Sequence, residues 1–153
     1  MISGWWGFAV VLGVAFAWSV FVGARYDYDD RLARWWVRRA RRWGRSAGPR
    51  SLLVSAGVLL AYVLLVAVSQ ELGAQLGDER WGLLVHVPAL LAYVPFMLAT
   101  APMQFSAYTY WRADLEQAGA DKQLGRRIAW WAGVPSFVGL FAVLLAVAGV
   151  FVL

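Results

Sequence analysis

Cysteine is absent from the 153 residues, which excludes disulfides, thiolate nucleophiles, iron–sulfur clusters and cysteine zinc sites. Histidine occurs once, at His86. One copy of the chain therefore lacks the ligands for a multi-histidine metal centre or a bis-histidine haem. Lysine is nearly missing too, because Lys122 is the only one and every other basic residue is arginine. That bias fits a GC-rich coding sequence and points to a bacterial or archaeal source. No glycine-rich phosphate loop, His-Glu-x-x-His or Gly-x-Ser-x-Gly motif is present. No catalytic residue, metal site or cofactor is therefore expected, and the reading leans away from an enzyme.

Charge is scarce and segregated. Charged residues make up 15% of the chain and apolar ones 61%, whereas soluble domains are nearer about 25% and 50%. The apolar residues lie in four runs, about 5–24, 51–69, 83–103 and 128–153, none containing Asp, Glu, Lys or Arg. Each reaches the roughly 20 residues that cross a 30 Å hydrocarbon core. None alternates polar and apolar residues as a barrel strand would. The expectation is one all-α domain of four transmembrane helices. The first run lacks a basic leader and a clear small-residue cleavage site, so it is read as a retained helix.

The linkers give an orientation. The first carries nine arginines, Arg25 to Arg50, and the second only Arg80 beside Glu71, Asp78 and Glu79. The third carries Arg112, Lys122, Arg126 and Arg127. Positive residues stay on the cytoplasmic side, so linkers one and three are expected inside and both termini outside. Tryptophans at run edges (Trp5, Trp6, Trp81, Trp130 and Trp131) match an interfacial aromatic belt.

The first linker also has a helical pattern. Asp27, Asp29 and Asp30 stand at its start and Gly44 at its end, the residue types that begin and stop a helix. Leu32, Trp36, Ala40 and Trp43 fall on one side of a helical wheel, with Trp35 close by. Arg31, Arg34, Arg38, Arg41, Arg42 and Arg45 fall on the other, and only Arg39 is out of place. This predicts a short basic amphipathic helix in the headgroup layer, tryptophans down and arginines toward anionic lipid phosphate. The alternative is that the arginines only fix topology. Nucleic acid is disfavoured, because the tryptophans are committed to membrane or protein. Gly48-Pro49 is expected to break the chain before the second span.

The third run places Pro88, Pro95 and Pro102 seven residues apart on one face. His86, Tyr93, Thr100 and Gln104 gather on the opposite face, with Leu90 and Met97. Each proline removes a helix hydrogen bond, leaving carbonyls near Leu84, Leu91 and Leu98 in need of donors. Either this polar stripe packs against neighbouring helices, or it lines a pathway. No acidic residue in any run could partner His86 in a proton relay. Rows of small residues at four-residue spacing favour close helix approach: Ala9, Gly13 and Ala17; Gly57 and Ala61; Ala132 and Ser136; Ala142 and Ala146. The acidic stretch Asp114, Glu116 and Asp121 reads as a solvated helix extension ending at Gly119.

The expected function is a non-catalytic small membrane subunit or accessory protein. It would pack within a larger complex or a homo-oligomer in the cell membrane and contact anionic lipid. The alternative is a small oligomeric channel or transporter whose third span lines the path.

Overall fold

The computed structural model describes residues 2–78, 80–101 and 105–151. Among them every regular element is helical: α1 (Ile2–Tyr26), α2 (Tyr28–Trp43), a 3-10 turn (Gly44–Ser46), α3 (Ala47–Leu76), α4 (Arg80–Thr100), α5 (Phe105–Gln117) and α6 (Lys122–Phe151). Stretches on α1, on the run from α2 into α3, on α4 and on α6 are long and apolar enough to cross a membrane. Such helices are compatible with a multi-pass membrane protein. Pro102 and Gln104 lie outside the described residues.

The long helices form a bundle in which α4 is central, touching α1, α3 and α6. Half of the apolar stretch of α4 is buried, against 6% of that of α1. α1 is therefore the peripheral helix, and most of its apolar surface faces outward. The short helices α2 and α5 pack on each other at the end of the bundle where α1 and α4 finish and α3 and α6 begin. The end of α3 and the start of α4 lie at the opposite end.

Local chemistry explains the joints. Asp27 adopts the left-handed conformation (φ 50°, ψ 45°), which a short polar side chain tolerates, and this separates α1 from α2. The Asp27 carbonyl accepts the first bond of α2 from the Arg31 N–H at 2.9 Å, and Asp29 and Asp30 occupy the first turn, where carboxylates suit the helix dipole. Gly44 ends α2, with φ 54°, and its N–H bonds the Ala40 carbonyl. The break before the second span is this glycine, not Gly48-Pro49, which lie inside the first turn of α3. Proline is harmless there, because its missing N–H would have had no helical acceptor.

The acidic stretch before α6 is not merely a wetted extension. α5 buries Trp111 and Leu115 against α2 and α6. Arg112 Nε pairs with Glu116 at 3.3 Å on its outer side. Asp121 caps α6 by accepting the Leu124 N–H at 2.8 Å.

Candidate functional site

The polar residues of the bundle fall into two groups that differ in how their hydrogen bonds are met. The first lies toward the end covered by α2 and α5. Ser55, Thr100 and Ser136 come from three helices and are fully enclosed. Ser136 Oγ lies 2.6 Å from Thr100 Oγ1 and 2.9 Å from Ser55 Oγ. Thr100 also donates to the Phe96 carbonyl (2.8 Å) and Ser55 to the Ala132 carbonyl (2.7 Å). With Thr100 and Ser55 donating to carbonyls, the single Ser136 proton serves one neighbouring hydroxyl, and every oxygen in the chain lies within hydrogen-bond distance of a partner. One turn further along α3, Ser51 accepts the indole N–H of Trp36 at 2.8 Å.

Trp36 ties this group to the helical cap. It is fully buried, stacks on Phe96 with centroids 5.9 Å apart and meets Trp111 edge-on at 6.0 Å. The tryptophan face of α2 was expected to enter lipid as a unit. For Trp36 that is corrected: the apolar side of α5 and the end of α4 cover it. The protein-facing stripe of α2 is Ala33, Trp36, Val37 and Ala40, with Leu32, Trp35 and Trp43 half-buried at its margins.

All six sequence-assigned arginines, Arg31, Arg34, Arg38, Arg41, Arg42 and Arg45, are exposed on α2 or the 3-10 turn. They are not equivalent. Arg41 donates to the Gly119 carbonyl at 2.7 Å and so anchors the α5–α6 turn. Arg38 and Arg42 line a surface hollow of about 180 Å³ with Trp35 and Arg39, and the Arg39 guanidinium lies 5.7 Å from the centre of the Trp35 ring. Arg39, the residue out of place on the wheel, joins its neighbours through that contact. Behind the helix, the Asp114 carboxyl is held above its ordinary value, chiefly by desolvation and then by Asp29 and Asp30.

The second polar group lies from mid-bundle toward the α3–α4 end. Tyr62 and Tyr93 stack nearly parallel, centroids 4.6 Å apart, and neither buried hydroxyl has a hydrogen-bond partner. The Tyr93 hydroxyl sits against Gly139, in the space a Cβ there would need. His86 is 3% exposed, and both ring nitrogens lack partners. Thus His86, Tyr93 and Thr100 are all buried against protein, with Leu90 and Met97, but only Thr100 joins a hydrogen-bond chain. Of the proline-freed carbonyls, that of Leu91 is met by Trp18 of α1, whose indole N–H donates to it at 3.0 Å.

No family model, curated protein or solved structure matches the chain. Among the described residues no cluster of three potential metal ligands forms.

Sequence reasoning passed over Ser51 and Ser55, and read Ser136 only as a small packing residue. A signal was present: two serines four residues apart on an otherwise apolar span share one face and need acceptors. The two half-rows Ala9, Gly13, Ala17 and Gly57, Ala61 are exposed, and a Cβ at Gly13 or Gly57 would meet nothing within 4 Å. Ala132 and Ser136 are buried at the α3–α6 contact instead.

Proposed function

We propose that this chain is a non-catalytic, four-span subunit or accessory protein of a larger membrane complex or homo-oligomer. It resides in a bacterial or archaeal cell membrane with both termini outside. α2 lies at the cytoplasmic interface and offers Arg31, Arg34, Arg38, Arg42 and Arg45 to anionic lipid, while Arg41 mainly braces the cap.

The observation that carries this reading is the packing below His86. The Tyr62–Tyr93 stack and the Ser55–Ser136–Thr100 chain fill the centre of the bundle with side chains in contact. A stripe in that state serves cohesion and not passage. The outward small-residue faces of α1 and α3 supply the second half of the reading, since a partner helix can approach closely there. The hollow of Trp35, Arg38, Arg39 and Arg42 supports the lipid contact, as guanidinium groups grip phosphate in a fork.

Cysteine scanning tests the reading without background, because the chain has none of its own. Single cysteines at positions 93, 97 and 100 should stay unreactive toward a small water-soluble thiol reagent. Reactivity at all three would replace the subunit reading with a pathway through the third span. In intact cells, cysteine at position 75 should react with an impermeant reagent and cysteine at position 46 should not; the reverse pattern would invert the topology.

A further inference from the structure

At the α3–α4 end the bundle opens into a cavity of about 390 Å³, walled by Ser69, Gly73, Gly82, His86, Gly149 and Val150 among others. That lies within the roughly 300–1,000 Å³ of small-molecule sites. Its shape follows from its glycines. α3 and α4 cross so closely that a Cβ on Gly82 would lie 2.5 Å from the Ser69 carbonyl oxygen, whereas a Cβ on Gly149 would meet nothing within 4 Å. One pair of helices is clamped together and the third wall stands back.

Among the described residues no Asp, Glu, Lys or Arg lines this space, so its lining favours a neutral ligand over a charged one. The lining does contain an imidazole that is 3% exposed, with no partner for either nitrogen. A neutral imidazole has one donor and one acceptor nitrogen. Ser69 already donates to the Val66 carbonyl at 2.8 Å. The His86 N–H is therefore the buried donor of this wall that lacks an acceptor. Rotation about χ2, which is broad for histidine, exchanges the ring edge that faces the cavity.

We propose that this cavity binds the neutral, carbonyl-bearing head of a membrane-dissolved molecule, with His86 donating a hydrogen bond to that carbonyl oxygen. The ligand's hydrocarbon tail lies along exposed apolar residues of the adjoining turns, Val68, Trp81 and Leu84. Two sources share this chemistry, a quinone ring and the ester group of a glycerolipid. The inference does not depend on the chain being a subunit: it concerns a binding property of the bundle by itself.

The test uses the full chain in nanodiscs of ether-linked phosphatidylcholine, which carries no ester carbonyl, and a photoactivatable azidoquinone, with adducts mapped by mass spectrometry. Labelling should saturate and map to residues 69–86 and 149–150. Competition with unlabelled decylubiquinone or with dioctanoylglycerol assigns the source: displacement by either one supports a carbonyl site, and displacement by neither overturns it. His86→Leu should weaken labelling about tenfold, the value of one good hydrogen bond, and His86→Gln, which keeps a donor, should stay within about threefold of the natural chain. Gly149→Leu should fill the cavity without a clash and abolish labelling while the melting temperature is kept. Labelling that does not saturate, or that is unchanged in both His86→Leu and Gly149→Leu, would reduce the result to bilayer partitioning and sink the proposal.

Discussion

The two ends of the bundle solve the problem of buried polar groups in opposite ways. Toward α2 and α5, Trp36 pairs with Ser51, and Ser55, Ser136 and Thr100 form a separate chain, so that each of these polar atoms meets another; the unpartnered indole of Trp111 is the exception. Toward the α3–α4 link, Tyr62, Tyr93 and His86 are just as deeply buried and have no hydrogen-bond partners. Hydroxyls and rings of the same kind are thus cohesive at one end and unsatisfied at the other. The first arrangement holds helices together. The second leaves the tyrosine hydroxyls without partners inside the bundle and an unpaired imidazole at the wall of a cavity.

The largest effect that would sharpen this contrast is at Trp36. Trp36→Ala removes a fully buried ring and its bond to Ser51, and should cost about 3–5 kcal/mol, read as a loss of folded yield and a lower melting temperature in detergent. A melting temperature close to that of the natural chain would mean that α2 does not dock on α5 as described. Next is Trp18. Trp18→Phe keeps the aromatic bulk but leaves the Leu91 carbonyl without its donor, a loss of roughly 0.5–1.5 kcal/mol for one hydrogen bond; a silent change would place another donor there.

A paired comparison then sets the two ends directly against each other. Ser136→Ala should destabilise by roughly 0.5–1.5 kcal/mol, because the one hydrogen bond that Ser136 can donate is lost while Thr100 and Ser55 keep their carbonyls. Tyr93→Phe removes a hydroxyl with no partner and should leave stability unchanged or raise it slightly. Equal losses in the two variants would erase the distinction between the ends.

The smallest effect concerns pH and Asp114, whose folded carboxyl titrates above its unfolded value of about 3.9. The folded state then holds its proton more tightly than the unfolded one. Stability is accordingly higher below the unfolded value and is lost as pH rises through the folded one. Asp114→Asn should abolish that loss, leaving the variant at least as stable as the natural chain at pH 7 and converging with it below about pH 4. A thermal-denaturation series across that range checks the sign, and a variant less stable at pH 7 would contradict it.

The long apolar helices were legible in the sequence because length and the exclusion of charge are strong signals. So was the demand of the third span for outside donors: a proline at 95 leaves the Leu91 carbonyl unmet, and a donor from α1 meets it. The identity of that donor was not legible, since it lies 73 residues away. Trp36 was misjudged for a related reason. On a wheel it belongs with residues facing lipid, and nothing local to α2 announces that the apolar side of α5 will cover it. Trp111 and Leu115 stand among Arg112, Asp114 and Glu116, so charge masked a buried face. The seam Ser55–Ser136–Thr100 was hidden differently: its three residues become a unit only once α3, α4 and α6 are brought together.

The bond from Trp18 to the Leu91 carbonyl also has a consequence for biogenesis. Translation at about 5–20 residues per second separates two residues 73 apart by about 4–15 s. The indole is thus made well before the carbonyl it will satisfy, and α1 has time to enter the bilayer alone. Helix α4 arrives carrying a proline defect that cannot be satisfied from within itself. The donor that the Leu91 carbonyl needs is thus already made when α4 appears, so the order of synthesis suits the order of packing.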